Sequence, residues 1–316
     1  MVLSTDGQAN LLDNTAEESQ DRRLVNRVTA FALLLLTTFF WGVTFTVVKE
    51  AVARVDVFVF LAQRFFAAFV ILAVIASVRG GRLDAGTLRG GGVMGAALFL
   101  SYAFQTMALR YTTASNTGFL TGLSVVLVPV FGAALLRQRI CGRLWAAVGV
   151  AGVGLFLLTT NGTWTLNAGD ALAAACAVFV AFHLLLTGRY AGRHDVWWLT
   201  AVQIGVIAAC SAAVALASGE RLVVWHPFLL WPLLVTVLFA TVFAFLVQTA
   251  AQRALSPTST ALIFCMEPVF AAAWAAWALG ERLGAVGYTG AGLILAAMLI
   301  AELGPGRPAV CRTPRR

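Results

Sequence analysis

The sequence has little charge and almost no lysine. Only 11% of its 316 residues are charged, against about a quarter in a soluble domain, and Lys49 is the single lysine. Hydrophobic residues make up 60% of the chain, and the mean hydropathy is +0.87. This composition excludes an ordinary soluble protein and predicts a protein embedded in the lipid bilayer.

Several chemical motifs are also missing. The five cysteines are scattered and form no CxxC pair, so we interpret them as small core residues rather than as a disulfide framework or a metal site. The chain has no HExxH or GxSxG motif and no paired carboxylates in its apolar segments. These absences count against a membrane-embedded enzyme, which is the first alternative to a transporter. The second alternative is a receptor or structural membrane protein.

Apolar runs of about 20 residues recur along the chain, each long enough to cross a hydrocarbon core of roughly 30 Å. They predict an all-α polytopic membrane protein with ten transmembrane helices, at residues 29–50, 57–78, 91–109, 115–136, 144–160, 169–189, 196–217, 229–251, 258–279 and 286–304. We expect residues 1–28 to form a disordered cytoplasmic tail and residues 305–316 a basic cytoplasmic tail. The first apolar run is too long for a cleaved signal peptide.

The distribution of arginine predicts the orientation. With the N-terminus in the cytoplasm of a ten-helix protein, 16 basic residues lie on the inside and 5 on the outside. Such a bias is typical of a multi-pass protein in the cytoplasmic membrane with both termini cytoplasmic. The net charge of +8 is therefore explained by topology, and we expect no nucleic-acid partner.

The chain resembles itself when it is shifted by 143 residues. "YAFQTMALR" (102–110) then lies over "FLVQTAAQR" (245–253), which aligns Gln105 with Gln248 and Arg110 with Arg253. The two repeats cover residues 29–160 and 161–304. Because each repeat has five helices, the second copy must be inverted in the membrane. Inverted repeats are typical of secondary transporters that bind substrate near the midplane.

Four segments resemble the drug/metabolite transporter superfamily in its ten-helix EamA branch. They are "WGVTFTVVKEAV" (41–52), "QRFFAAFVIL" (63–72), "ALRYTTASNTGFLTGLSVVLVPV" (108–130) and "LSPTSTALIFCMEPVFAAAWAAWALGERL" (255–283). The resemblance implies a secondary transporter that exports small organic metabolites, such as amino acids, by alternating access and without a bound cofactor. Two features depart from the family: Ser124-Val125 replaces Ser-Pro, and "AVFVAFH" (177–183) lacks a tryptophan.

Glu267 and Pro268 lie side by side in the middle of the ninth predicted helix. An acidic residue at that depth costs about 2.5–3.5 kcal/mol on insertion scales. Proline removes a backbone hydrogen bond and disrupts the preceding turn. Glu267 is therefore a candidate for the substrate pathway, with protons as the coupling ion, and Pro268 a candidate hinge. The alternative is a neutral glutamic acid that caps a structural kink.

Arg64 lies about seven residues into the second predicted helix. It is either an arginine whose charged group extends towards the interface or a ligand for an anion. In the second case its partner is a substrate carboxylate or Glu267.

Further pathway candidates are uncharged polar or aromatic. Amides inside a membrane also join helices by hydrogen bonds, and that alternative stays open for the polar candidates. His183 has no second ligand at a usable spacing, so we expect no metal. By the family resemblance, Trp41 lies near the cavity. The candidates are Trp41, Gln105, Asn116, His183, Gln248 and Trp274.

Glycines cluster in "GVAGVG" (149–154) and "GAVGYTGAG" (284–292) without the context of a phosphate loop. Small residues at such intervals let membrane helices pack closely. The fifth and tenth predicted helices are thus candidates for close packing, including a homodimer contact. The remaining expected partners are the lipid bilayer and a small-molecule substrate.

Overall fold

The computed structural model describes residues 5–112, 114–138, 140–160, 167–278 and 284–303, and its regular elements in these ranges are all helices. They form ten membrane-crossing segments, α1 to α10. The unbroken ones are α1 (Thr5–Val52), α2 (Val57–Val78), α3 (Ala85–Tyr111), α5 (Gly142–Thr160), α6 (Ala168–Tyr190), α7 (Val196–Ala217) and α10 (Ala285–Leu303). The interrupted ones are α4 (Ala114–Gly122 and Ser124–Leu136), α8 (Pro227–Val237, Leu238–Phe243 and Ala244–Ala251) and α9 (Pro257–Phe264 and Glu267–Ala278).

The predicted set of ten crossings is confirmed. Seven segments of the described chain are long and apolar enough to span a bilayer on their own. Two shorter apolar helices, Gly142–Leu158 and Ala285–Ala301, and the broken α9 complete the set. One boundary differs markedly, because α1 begins at Thr5 instead of near residue 29. The segment that we expected to be disordered contains no proline that would interrupt the helix.

Polar caps fix where several helices begin. Asp56 caps α2 and Asp195 caps α7, and each carboxylate accepts a hydrogen bond from a backbone N–H in the first turn. Asn167 opens α6 with a reciprocal capping box. Such caps satisfy N–H groups that lack a partner within the helix. The caps of α2 and α7 occupy equivalent places in the two repeats.

Helix packing follows the inverted repeat. Helix α2 packs against α7, and α5 packs against α10, which are repeat partners of one another. Helix α3 packs on α6 and α7, while its repeat partner α8 packs on α1 and α2. Likewise α4 packs on α6, and α9 on α1. Exchanging the two repeats therefore leaves these main pairs of neighbours unchanged, which is consistent with two five-helix repeats.

Two glycines create the tight crossing of α5 and α10. A Cβ atom added to Gly154 would lie 2.7 Å from the carbonyl oxygen of Gly290. The two glycine clusters were predicted to pack closely, and this contact between α5 and α10 within the chain is where they do so. Gly149 and Gly292, by contrast, face open space. The backbones can approach this closely only because neither residue has a side chain.

The cysteines differ from expectation in one case. Cys176, Cys210 and Cys265 are free thiols in the described part of the chain, as expected. Cys141, between α4 and α5, is disulfide-bonded, so it is not an isolated core residue.

We call the end of the bundle with the α2–α3, α4–α5, α6–α7 and α8–α9 connections the arginine-rich end. The opposite end is the arginine-poor end.

Candidate functional site

Both α4 and α9 are interrupted at the same place in their repeats. Helix α4 breaks at Leu123, and α9 breaks at Cys265 and Met266. The shift of 143 residues places Leu123 over Met266, and the hydrogen bonds after the break also correspond. Leu127 N–H donates to the Leu123 carbonyl, and Phe270 N–H donates to the Met266 carbonyl. Discontinuous helices of this kind place backbone polar groups at the binding sites of transporters.

Pro268 explains only one of these breaks. It is the second residue of the second half of α9, where the missing N–H of a proline removes no helical bond. This position agrees with the predicted disruption of the turn before Pro268. The break in α4 occurs without a proline, because the equivalent residue is Val125.

Glu267 is the first residue of the second half of α9, directly after the break, and it is half-buried. Its carboxyl group lies near Tyr102 of α3, Cys176 of α6 and Cys265 at the break. Gly42 brings α1 against the same place, since a Cβ atom there would lie 2.7 Å from the Glu267 carbonyl oxygen. The carboxylate therefore lies where helices of both repeats meet.

Short polar side chains surround this meeting point. The Thr121 hydroxyl, next to the break in α4, lies 3.7 Å from the Cys176 sulfur. Ser101 of α3 lies near the same thiol. Together with Glu267 and Tyr102, these residues form a polar cluster, contributed by α3, α4, α6 and α9, within an apolar bundle.

Arg64 is buried in α2 with only 3% of its surface exposed. Its Nε donates to the Thr241 hydroxyl at 2.8 Å, and its Nη2 donates to the Ala240 carbonyl at 3.2 Å. The guanidinium carbon lies 5.0 Å from the Phe65 ring centre and 5.3 Å from that of Tyr102. No ion pair joins Arg64 to Glu267 among the described residues, so that predicted partnership is absent in this conformation.

Trp41 of α1 meets Arg64 at the same carbonyl group. Its indole N–H donates to the Ala240 carbonyl at 2.9 Å. Its ring packs against Phe245 of α8 and against Phe264, the last residue before the break in α9, with ring centres 5.5 and 4.9 Å apart. Trp41 thus connects the Arg64 contacts on α8 with the broken turn that carries Glu267.

His183 and Gln248 belong to a separate, fully buried network. His183 Nε2 lies 2.8 Å from Gln203 Oε1, and its Nδ1 lies 3.4 Å from Gln248 Nε2. Gln203 also donates to the Thr249 hydroxyl. This arrangement joins α6, α7 and α8, which is the helix-joining alternative that the sequence left open for these residues.

The remaining candidates are not brought together. Gln105 is half-buried on α3. Trp274 packs against Trp277 in the second half of α9, with ring centres 5.1 Å apart. Asn116 lies in α4, and its side chain is outside the described residues. Within the described chain, no group of three His, Cys, Asp or Glu side chains is placed to hold a metal ion.

Several residues of the site and of the neighbouring network were missed from the sequence, among them Ser101, Thr121 and Cys176 of the polar cluster. Tyr102 lies within the repeated segment 102–110, which was a signal that could have singled it out. Thr241 and Gln203 lie in apolar runs where nothing distinguishes them from other buried polar residues. Only the packing of α8 against α2 and α7 reveals them.

The sequence pattern of the EamA-like transporter family matches residues 28–160 and again residues 167–302. The chain belongs to this family. It is also 33% identical over 279 residues to an "uncharacterized transporter" of Archaeoglobus fulgidus, covering 88% of this chain and 87% of that one. A second such transporter of the same organism is 29% identical over 259 residues, covering 79% and 89%.

A solved crystal structure has a similar fold, with a TM-score of 0.74 at 19% identity. The match covers 88% of this chain and 97% of the solved one. At this identity the likeness shows the fold alone. The family and the relatives establish that this EamA-like protein is a membrane transporter.

Proposed function

We propose that this EamA-like protein is a secondary transporter that exports small organic metabolites resembling amino acids across the cytoplasmic membrane. The observation that carries the proposal is the meeting of two interrupted helices, one from each repeat, beside the polar cluster around Glu267. Transporters built from inverted repeats bind substrate at such interruptions near the midplane.

The charges nearby suggest the substrate class. Arg64 is permanently charged and suits a carboxylate, while Glu267 in its ionised form suits an ammonium group. Tyr102 lies against the Arg64 guanidinium and within the electrostatic reach of Glu267. A zwitterion that spans Tyr102 would satisfy both charges.

Packing of the broken helices supports alternating access. At the arginine-rich end, the second half of α4 and the first half of α9 pack closely together. At the arginine-poor end, the first half of α4 and the second half of α9 make few contacts with each other. Residues 258–263 are buried, whereas residues 267–272 are only half-buried. We infer that, with both termini in the cytoplasm, the sparsely packed end faces the outside, and that exchanging the two repeats' conformations would loosen the packing at the inside instead.

The test is export by cells and by vesicles. Cells that overexpress the protein should grow at inhibitory concentrations of the transported metabolite, and inverted vesicles should accumulate it in labelled form. A panel of amino acids and their toxic analogues supplies the probes. Glu267→Ala is the inactive reference, and Glu50→Ala, at an exposed ion pair with Arg54, is the matched control. Equal resistance and accumulation in cells with and without the protein across the panel would refute the proposed substrate class.

A further inference from the structure

The middle of α8 is a π-helical turn, Leu238–Phe243. Ala244 N–H donates to the Phe239 carbonyl, five residues earlier, and the Thr241 hydroxyl donates to the Thr236 carbonyl at 2.8 Å. Single π turns inside α-helices are often found at functional sites. This one lies directly against Arg64.

The π turn supplies Arg64 with two fixed acceptors. Because the single hydrogen of the Thr241 hydroxyl points at Thr236, its lone pairs are available to Arg64 Nε. The Ala240 carbonyl accepts from Arg64 Nη2, and Trp41 bonds to the same oxygen from α1. The guanidinium is therefore held by backbone and hydroxyl groups whose own positions are fixed.

The two hydrogen bonds to α8 leave part of the guanidinium group without an acceptor on that helix. Phe65 and Tyr102 flank the group, the Tyr102 hydroxyl is a polar neighbour of it, and the bonds to α8 use Nε and one nitrogen of the fork. Nη1 takes part in neither bond, and no acidic side chain pairs with Arg64 within the described residues. A permanent charge inside the membrane region with no acidic partner there calls for an anion, and the guanidinium fork fits a carboxylate through two parallel bonds.

We infer that the π turn of α8 organises an anion site, in which Thr241 and the Ala240 carbonyl position Arg64 so that its Nη1 side binds the carboxylate of the transported substrate. The inference rests on the proposed function, since it assigns one end of the same substrate. Thr241 is a positioning residue, because it acts through Arg64. The competing interpretation is that Arg64 only ties α2 to α8.

Ligand binding to the purified full-length protein tests the inference without transport. The probes are the twenty standard L-amino acids, each paired with its own α-carboxamide, and the readout is the ligand-dependent rise in melting temperature. Wild type should bind at least one acid more tightly than its amide. Thr241→Val keeps the shape of the side chain but removes the acceptor, so the preference for acid over amide should fall about tenfold. Arg64→Lys, which lacks the fork, should lose the preference as well.

Thr200→Val is the matched control. Thr200 is also fully buried and donates to a carbonyl four residues earlier, but it lies on α7. It should keep the wild-type preference. The inference is overturned if no acid binds better than its amide, or if Thr241→Val keeps the preference. If export fails but the preference for acid over amide is retained, the proposed function is refuted while the anion site is still supported.

Discussion

At the scale of single residues, Glu267 is a carboxyl group at a break in a membrane helix. Such a group is costly when charged in hydrocarbon, so its charged and neutral forms suit different surroundings. A conformational change that alters those surroundings can therefore exchange a proton. We therefore propose Glu267 as the residue through which a proton gradient would drive transport.

Replacing Glu267 by glutamine should uncouple transport from the proton gradient. Glutamine keeps the size and much of the hydrogen bonding of the side chain but cannot ionise. We expect Glu267→Gln to fold and to bind substrate, while transport in proteoliposomes loses its response to an imposed pH gradient. Glu50→Gln, at an exposed ion pair, should respond like wild type. A full response in Glu267→Gln, or none in wild type, would exclude a proton-carrying role.

At the scale of elements, the break in α4 requires no proline, although the equivalent break in α9 is followed by one. Val125 occupies the place of Pro268, and among the described residues its amide makes no bond to a turn or a cap. The next amide, of Val126, donates to the Leu123 carbonyl at 2.9 Å. A proline should therefore be accepted at one of two adjacent positions and rejected at the other.

Val125→Pro should fold and reach the membrane at near wild-type levels, because it removes no helical hydrogen bond. Val126→Pro should lower stability by about 1 kcal/mol, because it removes the hydrogen bond from the Val126 amide to the Leu123 carbonyl. Thermal unfolding of the two purified variants measures the difference. Equal destabilisation by both substitutions would show that the two breaks are not equivalent.

Glycine in α10 offers a second contrast between near neighbours. A methyl group at Gly290 would meet the backbone of α5, whereas one at Gly292 would meet open space. Gly290→Ala should therefore cost about 1–3 kcal/mol through overpacking, while Gly292→Ala should be neutral or stabilising by up to about 1 kcal/mol. Chemical or thermal unfolding in detergent measures both. A neutral Gly290→Ala would contradict the close crossing of α5 and α10.

The crossings and the repeat could be predicted from sequence because each depends on local composition. A run of apolar residues needs only the bilayer to become a helix, and aligned glutamines and arginines reveal the duplication. The break at Leu123 and the π turn at Thr241 could not be predicted, since Gly122 before the break is one of many glycines in the apolar runs and Leu238–Phe243 contains neither proline nor glycine. They depend on contacts with other helices, such as the bond from Arg64 to Thr241, which a linear pattern does not contain.

At the scale of the whole molecule, successive loops lie at opposite ends of the bundle. The α6–α7 connection lies at the arginine-rich end and the α7–α8 connection at the arginine-poor end. Gly192 in the first and Glu220 in the second are both exposed, and an added side chain at Gly192 meets nothing within 4 Å. The two positions can therefore report the orientation without disturbing the packing.

Single cysteines at these positions, in a variant without the native cysteines, should react on opposite sides of the membrane. The arginine bias predicts that the arginine-rich end faces the cytoplasm, because short loops rich in arginine are retained there. In intact cells, a membrane-impermeant maleimide should label Glu220→Cys and should miss Gly192→Cys until the membrane is permeabilised. The reverse pattern would show that the protein has the opposite orientation, with the sparsely packed end facing the cytoplasm. Labelling of both positions in intact cells would contradict the separation of the two loops by a membrane.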